Sequence, residues 1–426
     1  MRKNKFSSFL KLSFGNILEW YDFSLYIYFA TSIATAFFPS NNHFVGMLLA
    51  LGTFFLGFVA RPFGGLLMGW LGDRYGKKWV VNICVVLMGI ATFSVALVPT
   101  YDQIGIVAPI ILITLRILQG ISVGGQFPGL LSLSVEDYKV NQGFAIGMVY
   151  SISSLGFLVA SLVSFVVTIL FSHLDQDIIW RIPFALSGIL FLIYLVLNRS
   201  IIYSKDEQKR VKQKNVLVSL AKQWKAIISV VFLTTMAASL YFLVFTYFVN
   251  YQTEYLNVSA EHAYLSNTIA LLLACLLYPL FGSIADRLGY LNLFSVTASL
   301  LLLLAFPLML LIQTGQMLNI LLALYIFTIL MAGMQASISP LFASSFTKEW
   351  RTTGCAFSYS IGNGIAGAAP LIAEILAHYD AVYGISVFII LLLIIGSCGM
   401  WLIYTVRPKE LMRVNTAKKE LLESAA

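Results

Sequence analysis

Residues 69–78, GWLGDRYGKK, form a short charged stretch between two long apolar runs. Residues 281–290, FGSIADRLGY, repeat the Asp-Arg-x-Gly core of that stretch half a chain length later. Each stretch lies between the second and third apolar runs of its own half of the chain, and internal repeats of this kind are typical of transporters built from two similar helix bundles. The residues to which we assign a gating or structural role are Asp73, Arg74, Asp286 and Arg287.

Composition places this chain in a lipid bilayer. Hydrophobic residues make up 59% of its 426 residues and charged residues 11%, whereas a soluble domain carries about 25% charged and about 45–50% apolar residues. A soluble enzyme and a nucleic-acid-binding domain are therefore excluded. Apolar runs of spanning length, about 20 residues each, occur twelve times, at 12–38, 45–71, 79–98, 104–133, 142–171, 182–200, 226–251, 261–285, 290–313, 317–345, 353–377 and 382–405.

Basic residues fall almost entirely on one side of these spans. All but three of the 27 lysines and arginines lie at the termini or in the even-to-odd connections, and the side that collects them is the cytoplasmic side. The predicted fold is an all-α integral membrane protein of 12 transmembrane helices in two pseudo-symmetric six-helix bundles, with both termini cytoplasmic. The bundles are residues 1–200 and 226–405, with a basic cytoplasmic linker at 201–225 and a cytoplasmic tail at 406–426.

Several motifs resemble those of one transporter family. Residues 69–78 and 116–120 (RILQG) are similar to two signatures of the major facilitator superfamily. Motifs similar to its metabolite:proton symporters are found at 15–23 (GNILEWYDF), 61–65 (RPFGG), 119–125 (QGISVGG) and 180–184 (WRIPF). That group includes proline/betaine, α-ketoglutarate, citrate and shikimate permeases, so the resemblance implies the major facilitator fold and proton-coupled solute transport. It is strong over the first six spans and looser over the last six.

Ionisable residues inside the spans are candidates for proton coupling, because each costs a few kcal/mol to insert. Glu19 and Asp22 are three residues apart and share a helix face, which Tyr26 continues. The family fold brings spans 1 and 4 together, so Arg116 is expected beside both carboxylates. A nearby arginine favours the ionised carboxylate and burial favours the protonated one, so protonation could free Arg116 to engage an anionic group of the solute. A static ion pair that fixes helix packing is the alternative interpretation.

A solute site is expected near the midplane of the membrane, between the two bundles. Most relatives have an acidic residue where this chain has Gln126, and the betaine transporter has an aspartate near Ser151. An anionic or zwitterionic solute is therefore favoured over a cation. Arg61 either lines the cavity or only pairs with a neighbour. The residues predicted to bind the solute are Tyr26, Arg61, Arg116, Gln126, Tyr150, Ser151, Gln335, Tyr359 and Asn363.

The predicted function is secondary active transport. The chain is expected to be a monomeric, proton-coupled symporter in the bacterial cytoplasmic membrane that imports an organic acid or a zwitterion such as proline or betaine by alternating access. We expect no catalytic residues, cofactor or metal, and the sequence contains no G-x-x-x-x-G-K-[ST] nucleotide-binding loop. The alternative is a proton-driven antiporter that exports drugs or siderophores, although the span 5 antiporter signature is missing: Gly147 is followed by Met148.

Overall fold

The computed structural model describes residues 2–75, 77–124, 127, 131, 141–171, 176–202, 221–347 and 351–406. All regular elements in these ranges are helices, as the sequence predicts. Most of the predicted linker (203–220) and nearly all of the predicted tail (407–426) lie outside the described residues.

The helices follow one another with short connections. In the first half of the chain they are α1 (Arg2–Tyr28), α2 (Ala30–Phe37), α3 (His43–Val59), α4 (Arg61–Tyr75), α5 (Lys77–Leu97), α6 (Tyr101–Ile104), α7 (Val107–Val123), α8 (Gln142–Leu170), α9 (Gln176–Ile179) and α10 (Arg181–Ile202). In the second half they are α11 (Trp224–Phe242), α12 (Phe248–Glu254), α13 (Ala260–Leu288), α14 (Tyr290–Gln313), α15 (Met317–Ser344), α16 (Arg351–Ala366) and α17 (Ala369–Val406).

Seven helical stretches of the described residues are long and apolar enough to cross a membrane. They are His43–Gly65, Gln142–Leu170, Trp224–Glu254, Ala260–Leu288, Tyr290–Gln313, Met317–Phe342 and Thr353–Thr405. The last holds predicted spans 11 and 12, which a bend at Asp380 separates (φ −159°, ψ 101°). Predicted spans 3, 4 and 6 coincide with shorter apolar helices, Ile83–Leu97, Val107–Val123 and Arg181–Val196. Each predicted span overlaps a helix, and the number that crosses the membrane stays a prediction.

The centre of the molecule is organised by the packing of α8 against α13. A Cβ atom added to Gly143 in α8 would lie 2.4 Å from the carbonyl oxygen of Gly282 in α13, closer than real Cβ contacts. Small residues let helix backbones approach closely in a membrane, where dispersion and hydrogen bonds rather than the hydrophobic effect drive helix association. α8 also packs against α1, so these three helices form one layer.

Two breaks in the helices face each other near one end of this layer. α1 stops at Tyr28 before α2 begins, and a π-helical turn, Leu243–Tyr247, separates α11 from α12. The Tyr28 hydroxyl donates to the carbonyl oxygen of Phe245 in the π turn at 2.8 Å, and the Asn250 side-chain amide donates to the carbonyl oxygen of Ile27 at 2.6 Å. π turns inside α-helices occur frequently at functional sites, so this contact is a candidate part of the functional region.

Candidate functional site

A buried ion pair joins α1 to α7. Arg116 Nη1 donates to Asp22 Oδ2 at 2.9 Å, and both side chains are inaccessible to solvent. Gln119, one turn further along α7, donates through Nε2 to Asp22 Oδ1 at 2.9 Å and to Thr92 Oγ1 in α5 at 3.0 Å. The Arg116 guanidinium also lies 4.1 Å from the ring centroid of Tyr26. Asp22 is therefore held on both oxygens by a network that ties three helices together.

Glu19 forms a second and looser pair. Its Oε1 lies 3.7 Å from Arg61 Nη2, and both side chains are buried. Neither Glu19 oxygen has a hydrogen-bond partner among the described residues. The Arg61 guanidinium is packed between aromatic rings, 4.0 Å from the centroid of Phe58 and 4.3 Å from that of Phe23. The buried carboxylate of Glu19 is thus balanced by the charge of Arg61, but neither of its oxygens accepts a hydrogen bond from the described residues.

The structure divides the predicted Glu19/Asp22–Arg116 cluster into two pairs. Asp22 contacts Arg116 as expected, whereas the ion-pair partner of Glu19 is Arg61 at the start of α4. Three residues along a helix correspond to a rise of about 4.5 Å, so the two carboxylates lie at different depths and meet different helices. Arg61 pairs with a neighbour in this structure, and its role in binding the solute stays a prediction.

An aromatic pocket lies at the centre of the molecule, and the space between its lining atoms, open solvent included, amounts to about 420 Å³. Of its fifteen lining residues, eight are aromatic, and none of the described lining residues is acidic or basic. The rings pack against one another: the Trp20 centroid lies 5.3 Å from that of Phe157, and the Phe127 centroid lies 5.1 Å from that of Tyr359. The lining residues are Trp20, Phe127, Tyr150, Ser153, Ser154, Phe157, Thr234, Ala237, Ala238, Tyr241, Phe242, Gln335, Phe342, Tyr359 and Asn363.

Four of the nine residues predicted to bind the solute line this pocket, namely Tyr150, Gln335, Tyr359 and Asn363. Tyr26, Arg61 and Arg116 do not line it, because they are engaged in the two charged clusters behind its wall. Ser151 does not line it either: its hydroxyl donates to the carbonyl oxygen of Cys275 in α13 at 2.7 Å. Gln126 lies outside the described residues.

Trp20 connects the pocket to the Glu19–Arg61 pair. Its side chain lines the pocket, and the Arg61 guanidinium lies 5.5 Å from its ring centroid. Sequence reasoning passed over Trp20 and Thr234, since a tryptophan or a threonine in an apolar run reads as packing. The aromatic residues of α11 were one available signal for the pocket, since two of them, Tyr241 and Phe242, line it.

Contacts between helices of the two halves of the chain lie on either side of the pocket. At one end, the two oxygens of Asp286 accept hydrogen bonds from backbone N–H groups in the first turn of α8, those of Gly143 at 2.8 Å and Phe144 at 3.0 Å. At the other end, Asn267 donates to the Tyr28 hydroxyl at 2.7 Å, and the Tyr264 hydroxyl donates to the Tyr28 carbonyl oxygen at 3.0 Å. Arg287 is exposed, and the side chains of Asp73 and Arg74 lie outside the described part of the chain.

A third buried carboxylate lies away from the pocket. Glu374 in α17 accepts a hydrogen bond from the Tyr247 hydroxyl on Oε2 and from the Tyr255 hydroxyl on Oε1, each at 2.9 Å. Both hydroxyls come from the segment that includes the π turn and α12. Because each oxygen has a donor, this carboxylate differs from Glu19 and resembles a packing contact.

The motifs that resemble the transporter family supply both buried ion pairs, Asp22–Arg116 and Glu19–Arg61, and the Trp20 side of the central pocket. The family model described as Major Facilitator Superfamily matches residues 12–370. The chain belongs to this superfamily. Among similar members, the proline/betaine transporter of Escherichia coli K12 is 31% identical over 382 residues, which cover 85% of this chain and 75% of the relative. The α-ketoglutarate permease of the same organism is 31% identical over 370 residues, covering 84% of each protein.

Solved structures of the superfamily share the fold. The match to a crystal structure of a D-xylose-proton symporter covers 93% of this chain and 97% of that structure's chain, with a TM-score of 0.71 and 18% sequence identity. The superfamily and the curated relatives are transporters and not enzymes. The protein is therefore a multi-pass membrane protein of the major facilitator fold that transports a solute.

Proposed function

We propose that this protein is a proton-coupled symporter that imports a small organic solute, an organic acid or a zwitterion, across the bacterial inner membrane. Its relatives include a proline/betaine transporter, an α-ketoglutarate permease, a shikimate transporter and a citrate-proton symporter. The solute site is the aromatic pocket, and the proton-coupling residues are Glu19, Asp22 and Arg116, to which we add Arg61.

Alternating access about the pocket is the proposed transport cycle. The moving units are the two six-helix bundles, residues 1–200 and 226–405, and rocking of one bundle against the other would expose the pocket to each side in turn. The pocket draws its lining from both parts, with Trp20 and Tyr150 from the first and Gln335 and Asn363 from the second. A solute between them would contact both bundles at once.

The observation that carries the proposal is the Glu19–Arg61 pair behind the pocket wall. Hydrogen bonds to a carboxylate stabilise its charged form, whereas burial destabilises it. Asp22 accepts two such bonds, while Glu19 accepts none from the described residues. Glu19 is therefore the easier of the two carboxylates to protonate, and Asp22–Arg116 is the fixed pair beside it.

Protonation of Glu19 would change the field that a solute meets. With Glu19 neutral, the charge of Arg61 is no longer balanced, and the guanidinium lies against the Trp20 ring, which lines the pocket. At roughly 9 Å an unbalanced charge attracts a carboxylate by about 2 kcal/mol, taking an effective dielectric constant of about 20. A carboxylate-bearing solute would thus bind more tightly once Glu19 is protonated, which couples solute binding to proton binding.

Reconstitution into liposomes that hold a trapped pH dye tests this function. Proline, betaine, α-ketoglutarate, citrate and shikimate are added outside one at a time, without an imposed gradient. Internal acidification with one of them, absent in Arg116→Ala, is the expected result. Absence of acidification with every solute, together with dye or drug efflux driven by an imposed proton gradient, would replace import by the exporter alternative.

Asp286 is expected to hold one end of the pocket closed. Its carboxylate accepts hydrogen bonds from the backbone N–H groups of Gly143 and Phe144 in the first turn of α8, where the helix dipole also favours negative charge. Asp286→Ala removes both charge-assisted hydrogen bonds and should favour the state that is open at that end. A cysteine placed at Ser154 in a cysteine-free background should then be alkylated about fivefold faster or more from that side.

The matched control for this gate is Glu261→Ala, which removes an exposed carboxylate from the other end of α13 and leaves the Asp286 contacts in place. Its alkylation rate should stay near that of the parent protein. Equal rates in Asp286→Ala and in the parent would show that the contact does not govern closure.

A further inference from the structure

The pocket combines an aromatic wall with a few polar atoms whose hydrogen-bonding capacity is unused. Because none of the described residues in its lining is charged, a solute with net charge would leave water without a full counter-charge in the wall. Arg61 lies behind the Trp20 ring and outside this lining, so it offsets a net anionic charge only in part, and a solute that balances its own charge is favoured. What the polar atoms select then depends on which of them donate and which accept.

Two side-chain amides in the lining have their orientation fixed by the backbone. Gln335 Nε2 donates to the carbonyl oxygen of Ala237 at 3.3 Å, and Asn363 Nδ2 donates to the carbonyl oxygen of Tyr359 at 3.2 Å. A carbonyl oxygen only accepts, so the amide nitrogen has to lie on that side in each case. The remaining atoms, Gln335 Oε1 and Asn363 Oδ1, are therefore acceptors.

Both acceptor oxygens are buried and have no hydrogen-bond partner within the described ranges. The same holds for two further polar atoms of the lining, the Thr234 hydroxyl, which can donate or accept, and Trp20 Nε1, which only donates. Buried polar atoms in native proteins are almost always paired. Four unpaired ones in a single lining therefore describe the ligand that completes them.

We infer that the pocket takes a zwitterion of no net charge whose ammonium group retains at least two N–H bonds. The N–H groups would donate to Gln335 Oε1 and Asn363 Oδ1, and the carboxylate would accept from Trp20 Nε1 and the Thr234 hydroxyl. The aromatic rings hold the ammonium by cation–π contact and the aliphatic body by burial. This inference rests on the proposed import function, and it narrows the solute to secondary- or primary-amine amino acids.

Fully methylated ammonium compounds mark the boundary of this class. A quaternary ammonium keeps the cation–π contact but has no N–H group, so both amide oxygens stay buried and unpaired when it binds. A site built to hydrogen-bond a donor rejects the analogue that lacks it, and we expect about a tenfold or greater loss of affinity. A net anion such as α-ketoglutarate lacks the ammonium altogether and is expected to bind still more weakly.

Binding to the purified full-length protein in detergent tests this inference. Apparent Kd values come from the ligand-dependent rise in Tm, measured for proline against N,N-dimethylproline and for glycine with zero to three N-methyl groups. Affinity should hold while two N–H bonds remain and fall about tenfold or more at the quaternary member. Equal or tighter binding of the quaternary compounds, tighter binding of α-ketoglutarate, or no binding by any member would overturn the inference.

Variants of the two amides separate donor recognition from general packing. Gln335→Leu and Asn363→Leu should each weaken proline binding and lower the affinity ratio between proline and N,N-dimethylproline, and the double variant should bring that ratio close to one. Phe342→Leu, which changes the aromatic wall, should weaken both compounds alike and keep the ratio. If a leucine variant does not fold, the methylation series on the parent protein still decides the matter.

The same experiment distinguishes failure of the inference from failure of the proposed function. Binding in detergent needs no proton gradient, so a preserved preference for N–H-bearing zwitterions without solute-dependent acidification would refute only proton-coupled import. Acidification with proline and N,N-dimethylproline at equal affinity would refute only the assignment of solute class.

Discussion

Glu19→Gln is expected to abolish accumulation of solute against its gradient while leaving exchange of solute between equal pools intact. A proton gradient of one pH unit is worth about 1.4 kcal/mol, so one proton per solute sustains about tenfold accumulation. Glutamine cannot release a proton, and accumulation should therefore fall to the level outside. The measurement is uptake of labelled solute into liposomes with and without an imposed pH gradient.

Exchange should survive because glutamine imitates the protonated state of Glu19. It has nearly the same size, carries no charge and leaves Arg61 unbalanced behind Trp20. The pocket would then remain in its solute-binding condition at every pH, so bound solute could be carried in both directions. The rate of solute exchange in this variant should also lose its dependence on pH in the range where the parent protein responds.

Two other carboxylates serve as matched controls for this variant. Glu374 is also buried but is bound by two tyrosine hydroxyls away from the pocket, and Glu254 accepts a hydrogen bond from Thr31 at 3.0 Å. Glu374→Gln and Glu254→Gln should keep gradient-driven accumulation. Accumulation that persists in Glu19→Gln and disappears in Asp22→Asn would move the proton site to Asp22 and Arg116.

The charged residues of the site could be found from sequence, but their pairing could not. Glu19, Asp22, Arg61 and Arg116 stand out because each is ionisable within an apolar run. Which arginine meets which carboxylate depends on the depth at which α4 and α7 cross α1, and helical spacing within α1 does not contain that information. The prediction that Arg116 serves both carboxylates was wrong for Glu19 in this respect.

The pocket face of α8 could have been predicted from helical periodicity. Tyr150, Ser153, Ser154 and Phe157 follow the spacing i, i+3, i+4 and i+7, which marks one helix face, and all four line the pocket. Ser151 lies about 100° further round the helix and meets α13 instead. Choosing the most polar residues without applying the period selected Tyr150, which lines the pocket, and Ser151, which does not.

The fold itself was accessible from composition and the internal repeat, but the interruptions in its helices were not. Apolar runs place the spans, and the repeated Asp-Arg-x-Gly core correctly marks the end of α13, where Asp286 caps α8. The π turn at Leu243–Tyr247 and the break after Tyr28 carry no glycine or proline. They coincide with contacts between distant segments, such as Tyr28 with Phe245, which a single run of sequence does not show.

Arg116→Ala is expected to lower the free energy of unfolding by about 3–5 kcal/mol, the cost of leaving one member of a buried pair alone. Asp22 would keep its hydrogen bond from Gln119 but lose the only cation in hydrogen-bond contact with it among the described residues. The guanidinium stacking on Tyr26 is lost as well. The check is the Tm in detergent, with the exposed Arg287→Ala as a control that should change stability by no more than about 0.5 kcal/mol.

The double variant Asp22→Asn/Arg116→Gln distinguishes the cost of an unpaired buried Asp22 charge from the cost of lost packing around Arg116. Both groups are neutral, so no buried charge is left unbalanced, and Gln119 can still donate to the side-chain oxygen of the asparagine that replaces the carboxylate. Stability should recover to within about 1–2 kcal/mol of the parent, whereas proton-coupled uptake should not recover. If the double variant is as unstable as Arg116→Ala, the loss comes from the cavity and the missing stacking, because neutralising Asp22 would then have relieved nothing.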